Sequence, residues 1–124
     1  MVLKRDSGFT FGPHRVEKPW GSYCDIFRDD RTVFKELRVN PGASLSYQYH
    51  NTRSEFWYIM EGSCIVTLDG EDINLSTNDH IFIGRQARHR VKNIGEGPLV
   101  IREMQCGLCD ETDIVRLEDQ YGRS

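Results

Sequence analysis

Apolar and polar residues alternate along most of this chain, with a period of two. Over residues 32–39, Val33, Leu37 and Val39 share one parity with Lys35, and Asn40-Pro41-Gly42 ends the run as a turn. Residues 45–50 and 55–60 read as aromatic-rich strands joined by the polar loop Asn51-Thr52-Arg53-Ser54. Residues 64–68 and 72–75 flank Asp69-Gly70, a strong hairpin signal between apolar runs. Residues 81–84, 89–93 and 99–105 complete the set. Short strands at this spacing, punctuated by Gly, Asn and Pro, predict an all-β barrel or sandwich. Helical periodicity is confined to a short turn near residues 113–121, and residues 1–17 read as an arm lying over the barrel or a neighbouring subunit.

At 124 residues the chain has the length of one domain, able to bury a core without disulfides. Charged residues make up 28% and hydrophobic ones 38%, an ordinary globular balance. The net charge of −3 gives no basic footprint for nucleic acid. No apolar run reaches the length of a membrane span, and the N-terminus lacks the pattern of a signal peptide. A cytoplasmic protein is therefore expected. Charge alternations such as Glu36–Arg38 and Arg102–Glu103 read as solvated strand faces. Cys24 and Cys64 fall singly in strand-like runs. Cys106 and Cys109 form a lone CxxC pair with no second pair to complete a zinc site, so a structural or incidental role is expected.

Candidate chemistry lies where polar residues take inward parity. Gln48 and His50 are two apart and share a strand face, Glu55 opens the next strand, and His89 opens a later one. Two imidazoles, a carboxylate and an amide oxygen converging inside a small barrel need a compensating partner. A divalent cation is one. The donors are mixed N and O, so Zn, Mn, Co, Ni, Fe or Mg all fit.

The spacing of the whole set adds to this. Gly42, Gln48-Tyr49-His50, Glu55 and Gly62 resemble the first cupin motif, with Gln48 where the first ligand is often His. Residues 83–93, with His89 and Asn93, resemble the second, although Gly84 and Gln86 replace its usual Pro and Gly. A closer resemblance runs from Lys18 to Arg123. Lys18-Pro19-Trp20-Gly21-Ser22-Tyr23, Pro41-Gly42, Gln48-x-His50-x-x-Arg53-x-Glu55-x-Trp57, His89-Arg90 and the ending Asp113-Ile114-Val115-Arg116 through Tyr121-Gly122-Arg123 are similar to the type II phosphomannose isomerase domain. The resemblance implies a cupin double-stranded β-helix (jelly-roll barrel) over residues 18–123 of a single domain spanning 1–124. It also implies one bound divalent metal and interconversion of mannose 6-phosphate and fructose 6-phosphate. The family's domain often follows a guanylyltransferase domain. No Gly-rich phosphate loop follows a strand here, so that activity is not expected.

Isomerisation through an enediol needs an electrophile, a proton shuttle and a phosphate anchor. Lys35 shares the face of Val33, Leu37 and Val39, while Glu103 and Gln105 share that of Leu99 and Ile101. If those faces are interior, Glu103 is the candidate shuttle, Lys35 an oxyanion or phosphate contact, and Gln105 a further substrate contact; otherwise they face solvent. Arg53 and Arg123 are candidates for the phosphate or members of ordinary salt bridges. Trp57 is either a sugar-stacking wall or a core aromatic. Asn51, Thr52 and Phe56 stand where the resembled motif carries histidines, a departure expected to make the pocket more apolar. Other metal-dependent cupin chemistry (an epimerase or an oxygenase) and a non-catalytic sugar-binding module are the alternatives. Exposed edges and the arm suggest a homodimer.

Overall fold

The computed structural model describes residues 14–119; Arg123 and most of the expected N-terminal arm lie outside them. The described residues form strands β1 (Val16–Lys18), β2 (Gly21–Arg28), β3 (Thr32–Val39), β4 (Tyr47–Tyr49), β5 (Arg53–Glu61), β6 (Ser63–Leu68), β7 (Glu71–Ser76), β8 (His80–Ile83), β9 (His89–Asn93), β10 (Leu99–Gly107) and β11 (Val115–Glu118). They make a six-stranded sheet, β1-β2-β3-β10-β5-β8, and a five-stranded sheet, β11-β4-β9-β6-β7.

The pairings β3·β10, β4·β9, β5·β8 and β6·β7 are antiparallel and nested about one hairpin. The chain is thus a long hairpin whose two arms cross together from sheet to sheet, which is the jelly-roll arrangement. Its tip is Asp69-Gly70, where both residues have positive φ (48° and 85°). That conformation is open to Gly and tolerated by Asp, as two-residue hairpins require.

Between the sheets, alternation fills one end with Leu37, Val39, Ile59, Cys64, Val66, Val91, Leu99 and Ile101, all buried in one cluster. Each large apolar side chain contributes about 1.5–3 kcal/mol through burial. Further along the same strands the inward positions turn polar. Lys35, Arg53, Glu55, Glu103 and Gln105 from the six-stranded sheet face Gln48 and His89 from the other, with His50 just beyond β4. The apolar end holds the sheets together, and the polar end forms the site.

Two expectations are corrected. The helical turn near 113–121 is instead strand β11, pairing Val115 with Tyr49 and Arg116 with Gln48. Strand β4 has β9 on one side only, and β11 supplies hydrogen-bond partners that its other edge would lack. The reading of an arm to residue 17 also ran too far, because β1 pairs with β2 from Val16.

The Glu36–Arg38 alternation is not a simply solvated face. Glu36 is buried on the outer side of β3, where it accepts from Arg15, from Arg38 Nε (3.2 Å) and from Arg102 Nε (3.1 Å). Burial pushes its pKa upward, but the Arg38 hydrogen bond and the charges of Arg102 and Arg15 outweigh it and hold the carboxyl below its usual range. A lowered folded pKa gives stability that is present above the unfolded value, near 4.3, and lost as pH falls through the folded one. Glu36→Gln should therefore lower stability by about 1–3 kcal/mol at neutral pH. Thermal melts of the two proteins should converge as pH falls from 5 to 3; a constant gap would contradict this origin.

Candidate active site

Strand register assembles the site row by row. Across the six-stranded sheet, Lys35 lies opposite Glu103, and Glu103 opposite Trp57. In the next row Gln105 lies between Val33 and Glu55. In the facing sheet Gln48 pairs with His89 on one side and Arg116 on the other. A two-residue periodicity on each strand thus brings Lys35, Gln48, Glu55, Trp57, Glu103, Gln105 and Arg116 to line one cavity of about 230 Å³, while His89 is buried with its ligand atom within 4.8 Å of those of His50 and Glu55.

His50, Glu55 and His89 are all buried, and their ligand atoms lie within 4.8 Å of one another. Both imidazoles are fixed by backbone carbonyls at Nδ1, His50 by Asp113 (2.7 Å) and His89 by Ala87 (2.9 Å). A carbonyl accepts only, so each Nδ1 carries the proton and each Nε2 presents a lone pair to the interior. Burial, and then the charge of Arg53, drive the His50 pKa down to about 4, and burial lowers that of His89. Both shifts favour the neutral ring, the form in which histidine ligates a metal. His89 Nε2 and Gln48 Oε1 are buried without a hydrogen-bond partner. Leaving such atoms unpaired is costly, and a cation between them satisfies both. The buried His50–Glu55–His89 cluster is of the kind that could hold a metal ion, and Gln48, paired with His89 in the sheet, is the further donor that the sequence nominates.

Arg53, placed by the sequence in the polar loop 51–54, is instead buried at the start of β5. Its Nε donates to Glu55 Oε2 (3.0 Å), and its Nη2 donates to His50 Nε2 (3.2 Å). The guanidinium therefore rests on two of the lone pairs that the metal would use.

Glu103 and Gln105 are interior, as is Lys35. Trp57 Nε1–H points at both Glu55 Oε1 (3.0 Å) and Glu103 Oε2 (2.9 Å), and Gln105 Nε2 donates to Glu103 Oε1 (3.2 Å). Trp57 is 1% exposed and orients two carboxyls, a role that its sequence position did not suggest. Burial, then the neighbouring Glu55 carboxylate, push the Glu103 pKa up to about 8. Lys35 Nζ lies 3.2 Å from Glu111 Oε2, 3.8 Å from Asp25 Oδ1 and 4.3 Å from the centre of the Tyr23 ring.

The expected consequence of Asn51, Thr52 and Phe56 does not arise. None of them lines the cavity. Phe56 follows Glu55 on the strand and so takes the opposite face, exposed and packed against His80. The Asn51 side chain accepts from Gln86, and the Thr52 hydroxyl donates to Asp113. Asn93, prominent in the second motif, is structural: its Nδ2 donates to Val39 and Gly97 carbonyls, both at 2.9 Å.

Lys18, Trp20, Tyr23, Glu111, Ile114 and Arg116 also line the cavity and were not anticipated. The first three belong to a motif noted in the sequence; the rest lie on or before β11. The turn at 110–113 is tied to the ligand loop through Asp113, whose carboxylate accepts from the amides of Asn51 (2.9 Å) and Thr52 (2.8 Å). Burial acts to raise its pKa, but these bonds and that from the Thr52 hydroxyl prevail and hold it at about 2. Asp113→Ala should cost about 1–2 kcal/mol in urea denaturation, less than a fully buried loss because water reaches the freed amides. No measurable change would show that the loop is held elsewhere.

A jelly-roll barrel with buried histidine, carboxylate and amide donors at one end of its interior defines a cupin. The solved cupin domain of Cnp3 from Schizosaccharomyces pombe superposes with a TM-score of 0.68 at 14% identity, covering 69% of this chain and 64% of that one. Streptomyces Pac13, a nucleoside dehydratase, superposes at 0.74 with 15% identity, covering 86% of each chain. Within this class the chain belongs to the mannose-6-phosphate isomerase C-terminal family, whose model matches residues 10–119. It is 39% identical over 123 residues to a mannose-1-phosphate guanylyltransferase from Escherichia coli K12, covering 98% of this chain and 26% of that protein. The chain thus spans about a quarter of the length of such relatives. Among the described residues no helix is long and apolar enough to cross a membrane.

Proposed function

We propose that this cupin is a divalent-metal-dependent isomerase interconverting mannose 6-phosphate and fructose 6-phosphate. The observation that carries the reading is that His50 and Glu55 of the buried His50–Glu55–His89 cluster line the same cavity as Glu103, an oriented carboxyl, and Lys35, a buried lysine. The family and the mannose-phosphate name of the relative support the substrate class.

Gln48, His50, Glu55 and His89 would hold the metal, which when bound supplies a Lewis acid for the oxygen that gains charge during enolisation. In the aldose-to-ketose direction a proton leaves C2 and returns at C1, while the O2 hydroxyl proton moves to O1. No oxidant or reductant enters. Glu103, held by hydrogen bonds from Trp57 and Gln105, would carry the carbon-bound proton. Lys35 supplies a buried positive charge two residues from the apolar wall. Arg53 Nη2 and a metal could not both use the single Nε2 lone pair of His50, whereas Glu55 could still accept from Arg53 Nε; the freed end of the planar fork would suit a phosphate.

The test is a coupled assay for fructose 6-phosphate from mannose 6-phosphate. Turnover should require metal, disappear on chelation and return when metal is restored. Protein that binds metal stoichiometrically yet shows no turnover with Zn, Mn, Co, Ni, Fe or Mg would overturn the isomerase reading.

A further inference from the structure

We propose that Glu111 is an internal occupant of the substrate's anion site, and that a phosphate monoester binds at Lys35 by displacing it. This deepens the isomerase reading and rests on it for the identity of the substrate, although not for the chemistry of the site.

Lys35 is 5% exposed, and its ammonium faces the cavity. Its strongest ionic partner is Glu111 at 3.2 Å; Asp25 Oδ1 stands farther off at 3.8 Å. The same Glu111 oxygen also accepts from Arg28 Nη2 at 3.0 Å, so one carboxylate oxygen serves two cations. A phosphate offers three terminal oxygens and a charge of about −1.5 to −2, against one oxygen and one charge from the carboxylate. It can satisfy the same cations with more and better-directed bonds.

The cavity around it is cationic. Lys18, Lys35, Arg53 and Arg116 line it, against Glu55, Glu103 and Glu111. Removal of Glu111 from this group leaves an excess of positive charge that suits an anionic ligand and not a neutral sugar.

Glu111 is also placed so that it can leave. Its side chain is half-exposed, at the tip of a tight turn in which the Asp113 amide donates to the Asp110 carbonyl at 2.9 Å. The strap that carries this turn is pinned on both sides independently of Glu111. Leu108 N donates to the Thr52 carbonyl (3.1 Å), and Asp113 caps the Asn51 and Thr52 amides. Only one side chain has to swing outward, so the metal-ligand loop is undisturbed.

Equilibrium binding of inorganic phosphate to metal-loaded protein, at constant ionic strength in a non-phosphate buffer, tests this. Glu111→Gln should tighten phosphate binding by about three- to fivefold, the weight of one partly exposed ion pair removed from competition. Lys35→Met added to that variant should abolish the gain. Phosphate affinity that is unchanged or weaker in Glu111→Gln, with an unaltered melting temperature, overturns the proposal. A gain that survives Lys35→Met also overturns it. The readout does not involve turnover: tighter phosphate binding in a protein without isomerase activity retires the isomerase reading alone, whereas an active isomerase with no gain retires the Glu111 proposal alone.

Discussion

Glu55→Gln is expected to weaken divalent-metal binding by more than about a hundredfold while leaving a folded protein. Removing a group that merely supports a ligand costs roughly 10–100-fold, and Glu55 is the one carboxylate in the His50–Glu55–His89 cluster. The substitution removes the charge and keeps the shape. Glutamine's single oxygen can keep one of the two hydrogen bonds that Trp57 Nε1 and Arg53 Nε give to the two native oxygens, each at 3.0 Å, and the other donor loses its acceptor. The loss of fold stability should stay near 1–3 kcal/mol, below the 3–5 kcal/mol of a buried pair broken by truncation. Competition with a chromogenic chelator measures the first quantity, and melting of chelated protein the second. Affinity within a few-fold of the native value would mean that the metal is held elsewhere.

The second large effect is on turnover. Glu103→Gln should lower kcat by about 100- to 10,000-fold, the usual contribution of a positioned proton carrier. Metal stoichiometry should be retained, because Glu103 lies beside the donor set and outside it. Glutamine can still receive the Trp57 N–H, so packing around the 2.9 Å contact survives. Steady-state kinetics with mannose 6-phosphate, alongside metal analysis of the same preparation, separate the two roles. A variant that keeps full kcat assigns the proton to another group; one that loses its metal makes Glu103 a support for Glu55.

Much of this site was legible because strands carry their facing in their parity. Val33, Leu37 and Val39 announce the inner face of β3, and Lys35 lies among them; Leu99 and Ile101 do the same for Glu103 and Gln105. The same rule, applied one step further, shows Phe56 turned outward from Glu55, which the comparison of motif letters alone misjudged. What parity does not give is lateral pairing. Whether Trp57 stands next to Glu103 depends on the register of β5 against β10, and that register includes a shift between Val100 and Ile101.

The remainder was hidden for two physical reasons. Residues 113–119 show apolar spacing compatible with either a short helix or a strand, and only the unpaired edge of β4 decides it; Arg116 enters the cavity as a result. Short charged side chains on outer strand faces read as solvated, yet Glu36 is covered by arginines from three segments of chain, two of them remote from it in sequence. Arg53 is similar: a polar loop was the natural reading of 51–54, and its burial comes from the carboxylate two residues on.

The claim beneath all of this is that Gln48, His50, Glu55 and His89 converge on one ion. Anomalous diffraction from crystals of untagged protein grown with manganese or zinc, collected on both sides of the metal edge, tests it most directly. A single strong peak bonded to His50 Nε2, His89 Nε2, a Glu55 oxygen and Gln48 Oε1 is predicted. An empty position there, with Arg53 still seated on His50 and Glu55, or a peak at Cys106 and Cys109 instead, would contradict it.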